Sequence, residues 1–204
     1  LALSARIAVA AFLFSGAALA QDPEPMTVEA DDLLEWNQTE GIYTATGNAV
    51  AVQGTRTIRR DVLVARNDPD AETQDIAVVT ATGDVSFEDE TTDATGSKLV
   101  YNIVNQDYSI DGPNARVSGR RGVITADRLI TLKTADDESQ TMTARGNAVY
   151  RDTTGRLFVG NLLVALFGND GSLQTIDAEG DVTVTTEAGR RADGDAATYN
   201  ALTE

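Results

Sequence analysis

Neither cysteine nor histidine occurs in the 204 residues, and tryptophan occurs once. Without thiolates or imidazoles, the usual zinc, iron–sulfur and haem ligand sets are excluded, as are cysteine nucleophiles and the Ser-His-Asp triad. Positive charge is scarce as well: 16 Lys and Arg stand against 32 Asp and Glu, a formal charge of −16. Nucleic-acid affinity rests on Lys and Arg displacing counterions from phosphates, so this balance argues against a nucleic-acid partner. Aromatic residues make up only 5% of the chain. What remains is dominated by Val, Thr, Ala, Asp and Gly, a mixture suited to many short strands and tight turns. At 42% hydrophobic the chain can bury a core, and its length has room for one or two domains.

One long apolar run occurs, from Ile7 to Ala20, preceded by Arg6 and interrupted only by Ser15 and Gly16. It closes on Ala18-Leu19-Ala20 and turns polar at Gln21-Asp22-Pro23. This is the layout of a secretory signal peptide, expected to be cleaved after residue 20. The other reading is a membrane anchor, but 14 residues fall short of the roughly 18–20 that a spanning helix needs. Loss of residues 1–20 removes one basic residue and leaves net −17. An exported chain without cysteine has no disulfides to stabilise it and depends on a continuous core.

The rest of the chain repeats. One motif places a glycine before an alternating strand: ATGNAVAV at Ala45–Val52, ATGDVSF at Ala81–Phe87, ARGNAVY at Ala144–Tyr150 and AEGDVTV at Ala178–Val184, with a weaker copy at Ile110–Val117. Its glycines, Gly47, Gly83, Gly112, Gly146 and Gly180, are 36, 29, 34 and 34 residues apart. The second motif is a polar anchor followed by alternating apolar residues. The anchors are Asp31, Asp61, Ser97, Asp127, Asn161 and Asp195, spaced 30, 36, 30, 34 and 34. Such self-similarity marks a repeat architecture.

Gly-Asn and Gly-Asp steps supply positive-φ residues for a tight turn or bulge. After them, Val85 and Phe87 share one face, as do Val182 and Val184. In the second motif Leu99, Tyr101 and Ile103 share one parity, and Leu33, Leu63, Leu129 and Leu163 hold the equivalent first position. The polar stretches Asn67–Asp75 and Lys133–Gln140 read as loops. No long 3.6-residue period occurs outside the leader. The prediction is an all-β chain with two to three strands per unit of roughly 34 residues, built as a β-solenoid or as two facing antiparallel sheets. Either form ends in unpaired strand edges, which invite pairing with another chain.

The segment PMTVEADDLLEW…TATGNAVAVQGT, from Pro25 to Thr55, resembles the opening of the lipopolysaccharide-transport LptA/OstA family. The blocks ATGSKLVYNIVNQDYSIDG and ITADRLITL resemble its later repeats, so the resemblance spans essentially residues 25–200. It implies an elongated, repeat-built β-jelly roll of V-shaped strands with open ends, occupying 21–204 as a single domain; the sixth anchor block stops before a glycine partner, so that domain is expected to be truncated at its C-terminal end. It further implies a periplasmic protein without catalytic residues, metal or cofactor. Such a protein carries the acyl chains of lipid A in an apolar groove and stacks end to end with copies of itself. Its partners would be an inner-membrane component associated with an ABC transporter and an outer-membrane translocon. The chain is more acidic than the family pattern, and its second anchor block reads RRDVLV. These departures leave open another component of the same pathway, such as a translocon N-terminal domain or an LptC-like protein. A structural β-solenoid and a carbohydrate-active repeat enzyme are the other readings.

Aligned by motif, the family's lipid-facing positions fall on Met26, Val28, Phe87, Tyr101 and Ile103, and parity adds Leu99. An apolar trough accepts acyl chains without specific polar contacts, at about 0.8 kcal/mol per buried CH₂. Filling a closed core is the alternative role for each of these residues. The small side chains of Ala49, Ala51 and Ala148 are expected to leave room for a chain. The recurring Asp anchors read as turn-formers that bond their own backbone rather than as metal ligands. Glu88-Asp89-Glu90 and Asp136-Asp137-Glu138 read as solvated loops. Arg59-Arg60, Arg120-Arg121 and Arg190-Arg191 are basic pairs that suit either a groove mouth or exposed strand ends.

Overall fold

A computed structural model describes residues 25–68, 76–133 and 139–201. The expected leader, the run Asp136-Asp137-Glu138 and Glu204 lie outside the described residues, as do most of the two expected loops. What is described of those loops is chiefly strand: Asn67 and Lys133 end strands, and Ser139 and Gln140 begin one.

Two motifs written in alternation become two kinds of strand. The chain forms β1 (Thr27–Glu29), β2 (Leu33–Asn37), β3 (Ile42–Gln53), β4 (Arg56–Asn67), β5 (Ile76–Glu88), β6 (Thr92–Asn102), β7 (Asp107–Gly119), β8 (Gly122–Lys133), β9 (Ser139–Asp152), β10 (Leu157–Gly168), β11 (Leu173–Thr185) and β12 (Arg191–Asn200). The glycine motif falls on the odd strands from β3 onward, the polar-anchor motif on the even ones. All pairings are antiparallel, in the order β1-β3-β4 and so on to β12, with β2 also on β3. β1 pairs with the second half of β3 and β2 with the first half, so together they form one long strand broken at Asp31-Asp32.

The glycines sit differently from expectation. They do not open strands; they lie in the middle of strands 12 to 14 residues long. Gly47 and Asn48 have φ of +84° and +44°, and Gly146 and Asn147 have +74° and +48°. Two successive left-handed residues insert a bulge, which bends the strand. The register slips at this level in every long pair, for example between Thr46 and Ala49 and between Thr125 and Arg128. The whole sheet therefore folds along one crease into two facing walls that share a continuous hydrogen-bonded ladder.

Each wall presents an inward row of side chains. On the first wall the row nearest the crease runs through directly paired residues Leu34, Ala45, Leu63, Ala81, Leu99, Ile110, Leu129, Ala144, Leu163, Ala178 and Ala197. On the second wall Ala49, Val85, Ala115, Ala126, Ala148 and Val182 are buried next to the crease. The next row outward runs from Val28 and Ala51 through Ile58, Phe87, Ala94, Val117, Ile124 and Tyr150 to Phe158 and Val184. Large residues alternate with alanines along much of the first row, so neighbouring strands interdigitate instead of colliding. A fully buried Leu contributes about 1.5–3 kcal/mol. Parity holds for Leu63, Leu129 and Leu163, all buried, but Leu33 is a correction: it faces outward, and Leu34 pairs with Ala45. The break at Asp31-Asp32 displaces the first anchor by one residue.

Candidate functional site: the trough between the walls

The crease is secured by the polar anchors. The Asp31 and Asp127 carboxylates accept hydrogen bonds from the side-chain amides of Asn48 and Asn147, each at 2.9 Å. Ser97 donates to the Asp111 carbonyl at 2.9 Å, and Arg60 to the Thr82 carbonyl at 2.8 Å. These partners belong to the bulge of the neighbouring strand, so for Asp31 and Asp127 the observed bonds reach across to the next strand and not, as expected, to their own backbone. At the second anchor block Arg60 rather than Asp61 makes the contact. Among the described residues no group of three or more acidic side chains is placed to hold a metal ion.

At the opposite side the strand-to-strand turns form two lips, and polar contacts cross between them. The Tyr101 hydroxyl donates to Gln53 Oε1 at 2.7 Å. Gln106 Oε1 accepts from Arg56 across the mouth at 3.1 Å and from Lys133 on its own lip at 2.6 Å. Arg121 and Asp170 meet at 2.9 Å, and Arg156 donates to the Tyr199 hydroxyl. Asp89 is no free loop carboxylate: it pairs with Arg56 at 3.3 Å and accepts from Thr55 at 2.9 Å. Of the other basic residues expected at a groove mouth or strand end, Arg59 pairs with Glu88 at 2.6 Å and Arg191 with Asp193 at 2.7 Å.

Every residue singled out for lipid contact lies on the inner side. Phe87, Leu99, Tyr101 and Ile103 are buried, while Met26 and Val28 are half-buried and pack on the same core. The first four come together near the middle strands. The Phe87 ring centroid lies 6.1 Å from that of Tyr101 and 5.0 Å from that of Tyr108, which it reaches across the trough. Met26 and Val28 are apart from them, on and beside β1 at one end of the sheet. Ala49, Ala51 and Ala148 are also fully buried, and none of them lines the larger cavity described below. Their small size lets the walls approach near the crease.

Open space is found elsewhere. A cavity of about 250 Å³ lies between the lips over β7 to β10, with Val117, Ile124, Met142, Tyr150 and Phe167 in its apolar lining. Sequence reasoning passed over these residues, although Thr131 and Ala165, where the neighbouring strands carry larger side chains, give a signal in retrospect. Burial pushes the Tyr108 and Tyr150 phenols up to about 12, and raises Tyr101 against the opposing pull of Arg56.

One carboxylate, Asp152, is buried among the described residues. Burial raises it, but hydrogen bonds from Arg156 and Thr154 outweigh that and hold it below the usual carboxylate range. Its oxygens accept from Thr154 N, Thr154 Oγ1, Arg156 N and Arg156 Nε at 2.6–2.9 Å. These bonds brace the β9–β10 turn.

Residues 27–135 match the model of the family described as LptA/(LptD N-terminal domain) LPS transport protein. The chain belongs to this family. The LptA/LptD N-terminal match thus begins with β1 and covers the strands through β8. Among solved structures, the chain is similar to LptH, the LptA-homologous periplasmic component of the lipopolysaccharide transport device of Pseudomonas aeruginosa. The two share 19% identity and a TM-score of 0.46, over 52% of this chain and 75% of that one. No curated protein sequence matches the chain.

Proposed function

We propose that this chain is a periplasmic carrier of lipopolysaccharide. It holds lipid A acyl chains between the two walls and stacks end to end with further copies to connect the inner and outer membranes. The observation that carries this reading, beyond the family, is that the inward apolar rows run through to the last strands. At the β2 end Leu34 and Trp36 sit at inward positions yet are 54% and 42% exposed. At the β12 end Ala192 is exposed and Tyr199 only half-buried. A core that stops this way leaves apolar surface and a free strand edge for a second copy. The carrier performs no chemistry of its own, and its partners are the membrane components at each end of the pathway.

The family description embraces translocon N-terminal domains, so a second reading within the same pathway stands beside the first. Lipid extraction and mass spectrometry of the protein purified from its own envelope test both. Co-purifying lipopolysaccharide is expected, and its absence counts against lipid carriage in either form. Recovery of the full-length protein in the soluble periplasmic fraction supports the bridge; recovery in the outer membrane supports the translocon domain.

A further inference from the structure

We propose that the compartment receiving an acyl chain is the segment of the trough between β7 and β10, rather than the segment around Phe87 and Tyr101. The inference rests on the carrier reading above. In the earlier segment the space is smaller and its walls are polar: a cavity of about 130 Å³ beside Phe87 and Tyr108 is otherwise lined by polar residues, among them Arg56, Asp89, Gln106 and Lys133. Phe87, Tyr101 and Tyr108 pack together across the trough, and the Tyr101 hydroxyl is fixed to Gln53 on the opposite wall. An occupant there has to displace buried rings, each covering about 150–250 Å².

Further along, the balance changes. The first wall's second row from the crease runs Tyr101, Tyr108, Thr131, Met142, Ala165 on successive strands, with Lys133, Gln140 and Phe167 one step nearer the lip. Ring volume is lost after Tyr108, and Val117, Ile124 and Tyr150 on the second wall do not make it up. The cavity of about 250 Å³ is the result. That is about eight times the ~30 Å³ a water occupies in the liquid, and the floor formed by Val117, Ile124, Met142, Tyr150 and Phe167 gives waters there few partners, whereas the polar lining residues ring the mouth. Each methylene buried there improves affinity about fourfold.

The rim selects the kind of molecule. Among the described lining residues, Arg120, Arg121 and Lys133 stand against Asp170, a positive balance in a chain of net −16. An apolar floor beneath a basic rim is complementary to a hydrocarbon chain next to an anionic headgroup. The Arg121–Asp170 pair closes the mouth from lip to lip, with side chains 55% and 58% exposed. Exposed pairs hold weakly, so the mouth can open sideways.

The test uses the full mature chain carrying a photoreactive benzophenone residue at Phe167 or Tyr150, and in parallel at Phe87 or Tyr101, irradiated with lipopolysaccharide. At least fivefold more adduct is expected at Phe167 and Tyr150. Equal adducts in both segments, or adducts confined to Phe87 and Tyr101, overturn this assignment and leave the carrier reading intact. No adduct at any of the four positions overturns both. Phosphatidylglycerol vesicles form a second arm; labelling by these alone overturns lipopolysaccharide as the occupant. Independently, Met142→Trp fills the cavity and is expected to weaken lipopolysaccharide binding at least fivefold with its thermal midpoint retained. Unchanged binding by the folded variant overturns the assignment.

Discussion

A β-carbon at Gly146 would lie 2.4 Å from the Asp127 carboxylate, on a backbone held at φ +74°. Gly155 has a comparable φ of +96° but nothing within 4 Å. Comparing alanine at the two positions therefore separates backbone strain from steric exclusion. Gly155→Ala is expected to cost about 1 kcal/mol, the price of a left-handed alanine, and Gly146→Ala about 2 kcal/mol or more. In thermal unfolding the second variant should melt several degrees below the first; equal midpoints refute the idea that Asp127 packs over the bulge. The recurrence of Gly47, Gly83, Gly146 and Gly180 was plain in the sequence, as was that of the anchors. Their common purpose was not. Gly146 and Asp127 are 19 residues apart and meet only when β8 and β9 pair.

The strand is a bent element with its inward residues on both sides of the bulge. β7 and β9 each carry one phenol whose pKa lies near 12, Tyr108 and Tyr150. In the unfolded chain a tyrosine loses its proton near 10, so between pH 10 and 12 the native state binds more protons than the unfolded one. Stability is full below pH 10 and falls as pH rises toward 12, by up to about 1.4 kcal/mol per pH unit for each phenol. Denaturant titrations of the wild type and of Tyr108→Phe/Tyr150→Phe should diverge over that range, with the variant flatter; parallel curves would sink this account. At the scale of elements the sequence was most informative where parity repeats, as for Leu63, Leu129 and Leu163. It failed at β2 because two adjacent aspartates offered two anchors, and only pairing with β3 selects between Leu33 and Leu34. The cavity was harder to foresee. It lies where Met142 and Phe167 face Val117, Ile124 and Tyr150 on the opposite wall, and a linear repeat does not state which residues oppose each other across a crease.

For the whole molecule, the exposed Leu34 and Trp36 at one end meet a net charge of −16. Apolar ends attract and like-charged bodies repel, so self-association is expected to grow with protein concentration and with added salt up to physiological strength. Leu34→Lys/Trp36→Lys should leave the melting temperature within about 2 °C of wild type and abolish growth in sedimentation; persistent oligomers in that variant rule out the β2 end as the contact. The ladder itself has a kinetic consequence. From β3 onward each strand pairs with the strands just before and after it in the chain, so no pairing waits for a distant segment to arrive. Contact order is low for an all-β protein, and loop closure, which slows most β topologies, is a minor barrier. Folding can begin at any hairpin and spread in both directions, as in solenoid repeats. A chain that emerges from a membrane pore end first can build its trough strand by strand as it arrives.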